Sequence, residues 1–249
     1  MSDKYEKNIY FSILAEQCNR YKEMKHFLEY TVERRDKDLN SEEKDLLSTA
    51  YNKSISGPIN AIRVIMAYEK KEKKKKNSSV LPYIIEYKNY VGEEITKICE
   101  SLLKIIDENL LKKAENDEAK LFYIKMKGDL NSDMVEYVED ELKKKLIYNT
   151  IKAYEEANEI ANKLPGLNPI VLRLAHNFSR FYAEVIDERK KAIKIAKLAI
   201  EKAYKEFQNM DDEDSCCEPC KPYTSILNFL SLDLDIWEKE EEGDQQAHK

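Results

Sequence analysis

Turn-forming residues are scarce in this sequence. Among 249 residues there are 5 glycines and 6 prolines. An all-β sandwich or barrel needs a turn about every 8–12 residues, so the low count excludes that class. A doubly wound nucleotide-binding fold needs glycine-rich loops, and the sequence has none. Apolar residues make up 42% and charged residues 36% of the chain, a balance that favours long helices over a disordered chain.

Targeting signals and disulfide patterns are also missing. No stretch approaches the ~18–20 apolar residues of a transmembrane helix, and the first residues, MSDKYEK, are charged, unlike a secretory signal peptide. The 5 cysteines are an odd number that does not suit a disulfide framework. We therefore expect a reduced, cytoplasmic protein. The net charge of −6 argues against duplex nucleic acid as a partner.

Few residues suit catalysis or metal binding. The chain has 3 histidines, and a di-iron bundle needs two Glu-x-x-His motifs, of which Glu23 and His26 supply one. Cys217 and Cys220 have the spacing of half a zinc site without a second pair, so a flexible surface loop is the favoured interpretation of residues 211–221. We find no catalytic motif and expect neither enzyme activity nor a cofactor or metal.

One short stretch is strongly basic. Residues 70–76 read KKEKKKK, a lysine run interrupted by Glu72. A charge run of this kind is usually a solvated loop. We favour that interpretation over a nucleic-acid-binding patch.

Apolar residues recur at intervals of three and four along nearly the whole chain, as in amphipathic helices. One stripe consists of Ala192, Ala196, Ala199, Ala203 and Phe207. Asn40 followed by Glu43 predicts a capping box, and Asn168-Pro169 predicts an N-cap with proline at the first helical position. Breaks are predicted near residues 36–40, 72–79, 112–117, 138–141, 164–168, 186–189 and 209–222. The pattern predicts an all-α bundle of about nine antiparallel helices joined by short loops.

Five motifs, in order, resemble those of the 14-3-3 protein family. They are LAEQxxRYxxM at residues 14–24, LLSxAY at 46–51, FYxKMKGD at 122–129, NFSxFYxE at 177–184 and LxIW at 234–237. The resemblance extends over nearly the whole chain. It implies nine antiparallel helices that dimerise into a cup and offer a groove for phosphoserine or phosphothreonine peptides. It also implies a single domain over residues 1–238. Residues 239–249 are acidic, and from their composition we expect a disordered tail.

The residues with which the family grips phosphate are replaced in this chain. A comparison without gaps places a lysine and an arginine of the third helix on Asn52 and Ile59, and an Arg-Tyr pair of the fifth on Ser132 and Asp133. Each charge-assisted hydrogen bond contributes about 1.5–3 kcal/mol. Losing two arginine contacts is therefore expected to weaken phosphopeptide binding by about two to four decades.

Proline in the third helix bears on the same positions. Pro58 is expected to kink or locally unwind that helix. A kink would bring Lys53 to the place of Asn52. It would not restore an arginine.

Other groove positions match the family. They are Lys125, Asp129, Asn177, Glu184, Ile226 and Phe229. The resemblance implies that Asn177 clamps the backbone of a bound peptide, independently of phosphate. A second clamping asparagine of the family is replaced by Asp233.

Two apolar groove positions of the seventh helix have become His176 and Arg180. They are four residues apart and share one helical face. We hypothesise that Lys125, His176 and Arg180 form a displaced basic patch for an acidic or differently placed phosphorylated peptide. The alternative is that Arg180 pairs with Glu184, also four residues away, and that His176 is packed or solvated.

The resemblance also implies a dimer interface. Its residues are Leu14, Ala15, Arg20, Glu23, Tyr87, Tyr90 and Glu94. Arg20 and Glu94 match an ion pair between protomers, whereas the position that should pair with Glu23 is Tyr90, with Lys88 as a nearby substitute. Exposed ion pairs contribute about 0–1 kcal/mol each, so apolar burial by the first helix is expected to contribute more.

Two functions follow from these comparisons. The first is a non-enzymatic, cytoplasmic adaptor that holds phosphorylated or acidic segments of client proteins in its groove and regulates them in signalling. It would pair with itself or with other 14-3-3 chains, and no nucleic-acid or membrane partner is expected. The alternative is a pseudo-14-3-3 protein that has lost phosphopeptide binding and acts as a dimerisation partner or phosphate-independent scaffold. An open patch at Lys125, His176 and Arg180 favours the adaptor, and internal pairing favours the scaffold.

Overall fold

The computed structural model describes residues 2–209 and 222–247. Within these ranges the chain forms nine helices and no strand. The helices are α1 Ser2–Gln17, α2 Tyr21–Arg34, α3 Ser41–Lys73, α4 Leu81–Ile105, α5 Asp117–Val135, α6 Asp140–Ala161, α7 Pro169–Arg180, α8 Arg189–Phe207 and α9 Pro222–Ala247. The all-α class and the count of about nine helices are confirmed.

Two helices continue into π-helical segments. α4 passes through Ile106–Leu110 into a last α-helical turn, Leu111–Lys113. α7 passes into Phe181–Ile186, which ends at Asp187 in the left-handed conformation, φ 61°. Both segments widen the helix locally, as π-bulges do.

The predicted caps are present. The Asn40 side chain accepts from the backbone N–H of Glu43 at 2.9 Å, and the Glu43 carboxylate accepts from the backbone N–H of Asn40 at 2.8 Å. The Asn168 side chain accepts from the N–H of Ile170 at 2.8 Å, with Pro169 at the first helical position. These caps fix the starts of α3 and α7.

The chain divides into two compact units. The first comprises Met1–Glu115 and Leu130–Ile147. In it α1 packs against α2 and α3, and α3 packs along α4. Its fully buried side chains include Met24, Leu47, Ile62, Ile95 and Leu102.

A buried polar cluster ties α2, α3 and α4 together in the first unit. The Glu29 carboxylate accepts from the Tyr51 hydroxyl at 2.6 Å, the Ser101 hydroxyl at 2.7 Å and the Lys25 ammonium at 3.0 Å. Burial acts to raise the pKa of Glu29, but these donors outweigh it and hold the pKa below its usual value. The carboxylate is therefore ionised and fully partnered.

The second unit comprises Asn116–Asp129 and Tyr148–Lys249. In it α7, α8 and α9 pack against one another in pairs. The alanine stripe of α8 lies inside this packing, with Ala192, Ala196 and Ala203 fully buried. Small side chains let neighbouring helices approach closely, as the sequence pattern predicts.

Two side chains of α8 hold the loop between α6 and α7. The Lys202 ammonium donates to the carbonyl of Ala161, the last residue of α6, at 3.0 Å and to the carbonyl of Leu164 in the loop at 2.7 Å. The Glu206 carboxylate, one turn later, accepts from the backbone N–H groups of Gly166 and Leu167. Opposite charges thus satisfy the loop carbonyls and amides that no helix pairs.

Two expectations meet a different structure. α3 is helical without interruption from Ser41 to Lys73, so the local unwinding expected at Pro58 is wrong; a kink stays a prediction. The buried side chains of Ile55 and Ile62 anchor the helix on either side of the proline. α9 continues through Ala247, into the stretch for which a disordered tail is predicted, and the cysteines at 216–220 lie outside the described residues. The single domain over residues 1–238 stays a prediction.

Glycine at position 128 permits close packing in the second unit. A Cβ atom there would overlap the ring of Tyr154. Tyr154 is 1% exposed and donates a hydrogen bond to Asp129, so its ring cannot shift to make space for the added atom. We expect Gly128→Ala to lower the free energy of unfolding by about 1–3 kcal/mol, as overpacking does.

The matched control for this substitution is Gly57→Ala. Gly57 is also helical, and a Cβ atom there meets nothing within 4 Å beyond its neighbours in the chain. Alanine gains helix propensity there, but its Cβ atom meets the ring of Pro58, the next residue, so the free energy of unfolding should change by less than about 1 kcal/mol. The midpoints of urea denaturation compare the two variants, and equal midpoints would contradict the packing argument.

Candidate functional site

The Asp129 carboxylate on α5 collects donors from three helices of the second unit. Its Oδ1 accepts from the Tyr154 hydroxyl of α6 and from the Asn177 Nδ2 of α7, both at 2.8 Å. Its Oδ2 forms an ion pair with Lys125, one turn earlier on α5. Three of the predicted groove residues, Lys125, Asp129 and Asn177, therefore lie together. The Tyr154 hydroxyl, which no sequence motif indicated, also belongs to this cluster.

Aromatic packing fixes the position of this cluster. The Tyr154 ring lies 5.2 Å from the Phe178 ring and 6.2 Å from the Phe181 ring, measured between centroids. Phe178 follows Asn177 directly in α7 and is buried. The same turn of helix that buries Phe178 therefore holds Asn177 at the half-buried edge of the unit.

Asn177 is oriented by its bond to Asp129. Because Nδ2 donates to that carboxylate, the orientation of the amide is set. One N–H and the amide oxygen remain available, since no further bond of this side chain occurs among the described residues. An amide with one donor and one acceptor at a surface can pair with the backbone of an extended peptide.

His176, the neighbour of Asn177, faces Asp233 of α9. Its Nε2 lies 3.0 Å from the Asp233 Oδ2. Burial lowers the pKa of His176, and Asp233 opposes this without reversing it. His176 is therefore uncharged at neutral pH, and its Nε2–H donates to the carboxylate.

Arg180 is paired within α7 and its continuation. Its Nε lies 2.8 Å from the Glu184 Oε1, and its Nη2 lies 3.0 Å from the Glu184 Oε2. This is a bidentate pair with roughly half of each side chain exposed. The Nε also lies 3.9 Å from the Asp233 Oδ2.

Lys125, His176 and Arg180 do not form an open basic patch. Lys125 is paired with Asp129, Arg180 is paired with Glu184, and His176 is neutral beside Asp233. Carboxylates thus outnumber permanent cations in the cluster. The alternative interpretation, with Arg180 paired to Glu184, agrees with the structure.

The two predicted groove-wall residues on α9 differ in exposure. Ile226 is 7% exposed and packs with Leu167, Leu172 and Ala203, so it belongs to the core and does not line the surface as expected. Phe229 is 60% exposed, and its ring centroid lies 6.4 Å from that of His176.

Two further apolar residues on α9 were not among the predicted groove residues. Leu232 is 58% exposed and Ile236 is 46% exposed. They follow Phe229 by three and seven residues and so share its helical face. Spacing alone could have indicated this face, but only the structure shows which side of α9 is left uncovered.

The replaced phosphate-binding positions lie in the first unit. Asn52 and Lys53 are exposed on α3, Ile59 is half-buried, and Ser132 and Asp133 are half-buried on α5. Arg63, four residues after Ile59 on α3, was missed by the sequence analysis. Its guanidinium forms a bidentate pair with Glu136, with Nε–Oε1 at 2.8 Å and Nη2–Oε2 at 2.9 Å.

The predicted interface residues form contacts within the chain. Arg20 pairs with Glu23, and Glu94 pairs with Lys22 at 2.9 Å. The exposed rings of Tyr87 and Tyr90 stack with centroids 6.3 Å apart. The pairing of Arg20 with Glu94 between protomers stays a prediction.

The apolar part of the predicted interface is uneven. Ala15 is 7% exposed and contributes little further burial on association. Leu14 is 43% exposed and is joined on α1 by exposed Tyr10 and Ile13. These residues form one helical face with spacings of three and four.

No metal site occurs in the part of the chain that the structure describes. Burial raises the pKa of the Cys99 thiol to about 12, so that thiol is unreactive. None of the described helices has both the length and the apolar character to cross a membrane. The half zinc site at Cys217 and Cys220 lies outside the described residues.

Comparison with known proteins agrees with the motifs and the fold. A sequence model described as 14-3-3 protein matches residues 12–238. The chain is 35% identical over 247 residues to 14-3-3 protein 6 of Solanum lycopersicum, covering 98% of this chain and 94% of that protein. It is 36% identical over 245 residues to 14-3-3-like protein A of Hordeum vulgare, covering 96% and 92%. The chain therefore belongs to the 14-3-3 family of non-enzymatic, dimerising adaptors that bind client proteins.

Proposed function

We propose that this adaptor binds extended segments of its clients through backbone contacts and apolar burial, with little dependence on phosphate. The residues that carry this are Asp129, Asn177, Phe229, Leu232 and Ile236, here called the clamp surface. The observation that supports it most directly is the bond from Asn177 to Asp129, which holds the amide ready for a peptide backbone.

The apolar residues of the clamp surface would supply much of the affinity. Burying exposed apolar area contributes about 25 cal/mol per Å². Phe229, Leu232 and Ile236 are each between 46% and 60% exposed, so a ligand side chain can cover them. This contribution does not depend on the charge of the ligand.

The charges around the clamp surface contribute little binding free energy to a phosphate group. A phosphoserine carries a charge near −2, and the carboxylates of Asp129, Asp233 and Glu184 would lie near it. To use Arg180, the phosphate must displace Glu184 from an exposed ion pair that contributes about 0–1 kcal/mol. Arg180 can therefore be recruited, but its gain is offset by the remaining acidic groups.

We further propose that the chain forms a homodimer in the cytoplasm and regulates clients in signalling. The support is the exposed apolar face of α1, at Tyr10, Ile13 and Leu14, in the same unit as the exposed tyrosines of α4. Those tyrosines, Tyr87 and Tyr90, are three residues apart and share a face.

Peptide binding tests the proposal directly. One fluorescent peptide, in phosphorylated and unphosphorylated forms, should bind with affinities within about tenfold of each other. Asn177→Ala should weaken both forms by about tenfold, because two backbone hydrogen bonds of about 0.5–1.5 kcal/mol each are lost. Fluorescence anisotropy measures both effects.

The control is Asn158→Ala, an exposed asparagine on α6 of the same unit. It should leave both affinities unchanged. A phosphate preference of two decades or more would contradict the proposal. Absence of binding by either form would favour the alternative of a scaffold without peptide capture.

The ion pair on α7 gives a second prediction. Glu184→Gln should free Arg180 and raise the preference for the phosphorylated peptide, by about three- to tenfold. Arg180→Gln should abolish whatever preference exists. The ratio of the two affinities is the measurement, and an unchanged ratio in both variants would show that Arg180 does not meet the ligand.

A further inference from the structure

The lysine run has a definite structure at the end of α3. α3 ends at Lys73, so the run is half helix and half turn, where a loop was expected. All six lysines are exposed. They are Lys70, Lys71, Lys73, Lys74, Lys75 and Lys76, here called the lysine turn.

The acidic residues beside these lysines point inward. Glu69 is 6% exposed and pairs with Lys88 at 2.8 Å and Lys73 at 2.7 Å. Glu72 is 9% exposed, and its carboxylate accepts from the Lys75 ammonium at 2.6 Å and the Ser78 hydroxyl at 2.7 Å. Lys73, Lys75 and Lys88 therefore neutralise these two acids, and the charges of the other four lysines remain outside.

Four of the lysines form no close ion pair among the described residues, although Lys71 attracts the Glu72 carboxylate at longer range. They are Lys70, Lys71, Lys74 and Lys76. The turn that carries them is ordered, because the Glu72 carbonyl accepts the backbone N–H groups of Lys74 and Lys75. The charges are thus concentrated on one exposed turn with a hydrogen-bonded backbone.

Exposed aromatic and aliphatic side chains border the lysine turn. Tyr68 precedes it and is 59% exposed, while Val80 and Tyr83 follow it and are 45% and 70% exposed. Tyrosine prefers the boundary between water and lipid because one end is polar and the body is apolar. Lysines with adjacent amphipathic rings match the headgroup region of a bilayer.

We propose that the lysine turn docks the protein on an anionic membrane surface. Clusters of four to eight basic residues are attracted by anionic lipids. Lysine suits this contact, because it is a compact point charge that needs no fixed geometry. Arginine, which the run lacks, is preferred where a particular phosphate is gripped bidentately.

Charge elsewhere in the protein does not prevent this contact. The net charge of −6 repels an anionic surface as a whole. Interactions beyond about 8–10 Å are screened at physiological salt, so the nearest charges dominate. The expectation of no membrane partner came from the lack of a spanning segment, and a peripheral contact needs none.

Vesicle sedimentation tests the proposal with the full chain. The probes are neutral phosphatidylcholine vesicles and vesicles in which about a third of the lipid is phosphatidylserine. The variant changes Lys70, Lys71, Lys74 and Lys76 to glutamine. The matched control changes four other exposed lysines, Lys120, Lys145, Lys152 and Lys163, to glutamine. It therefore has the same net charge as the variant.

The native protein should sediment with anionic vesicles and dissociate from them at high salt. It should not sediment with neutral vesicles. Each lysine near an anionic surface raises the partition coefficient onto vesicles about fivefold. The partition coefficient of the four-lysine variant should therefore fall by more than about tenfold, even after salt screening. The control should keep most of the binding, and circular dichroism should show equal helix content in all three proteins. Equal losses in variant and control, or no binding by the native protein, would overturn the proposal.

Soluble polyglutamate distinguishes a membrane from an acidic protein partner. At equal anionic charge, polyglutamate should compete poorly with vesicles for the protein. It has no boundary between water and lipid in which Tyr68, Val80 and Tyr83 could insert. Competition as strong as that of vesicles would overturn the membrane assignment in favour of an acidic polypeptide.

Discussion

The Asp129 carboxylate accepts hydrogen bonds from side chains on three helices, and the candidate site depends on that convergence. Hydrogen bonds to a charged acceptor contribute about 1.5–3 kcal/mol each, so the carboxylate is a strong constraint. It sets the orientation of Asn177 and holds Tyr154 against Phe178. The ring of Tyr154 in turn requires glycine at position 128, since a Cβ atom there would overlap it. Backbone, aromatic packing and polar geometry are thus coupled within one turn of α5.

Pairing of charges determines what this surface can bind. The same carboxylate that orients Asn177 also neutralises Lys125, and Glu184 does the same for Arg180. A cation that is already paired attracts a phosphate less, because the phosphate must first replace a carboxylate. Backbone and apolar contacts do not incur this competition. The replacement of the family's arginines and the internal pairing of the remaining cations therefore favour the same conclusion, a ligand recognised mainly by shape and backbone.

Local features of the fold could be predicted from sequence because they depend on neighbours in the chain. Asn40 with Glu43, and Asn168 with Pro169, were predicted as helix starts and are confirmed. The break between α1 and α2 carries no proline or glycine, and no break was predicted there; Asn19 turns the chain with a φ of 56°. Asparagine tolerates this left-handed conformation, but an asparagine in the sequence does not by itself predict it.

Contacts between distant residues could not be predicted in the same way. Nothing near Arg63 in the sequence indicates Glu136, 73 residues later, as its partner. Ile226 matches an apolar groove position, yet it is buried because the packing of α7 and α8 covers its side of α9. Arg180 and Glu184 were foreseen as a pair since both lie on one helix, whereas the approach of Asp233 depends on α9. Helix periodicity specifies which residues share a face, and tertiary packing decides which face remains exposed.

The same distinction separates the two charged surfaces of the protein. On α7 the basic residue Arg180 meets an acid at the surface, so their fields cancel where a ligand would approach. At the end of α3 the acids Glu69 and Glu72 are buried and pair with Lys88, Ser78 and the ammonium groups of Lys73 and Lys75, so four lysines remain outside these pairs. The end of α3 carries six lysines against two acids, and burial of those acids leaves the lysines at the surface, so the two places have opposite character. A net charge of −6 therefore says little about any one surface, because each surface acts through the charges within a Debye length of it.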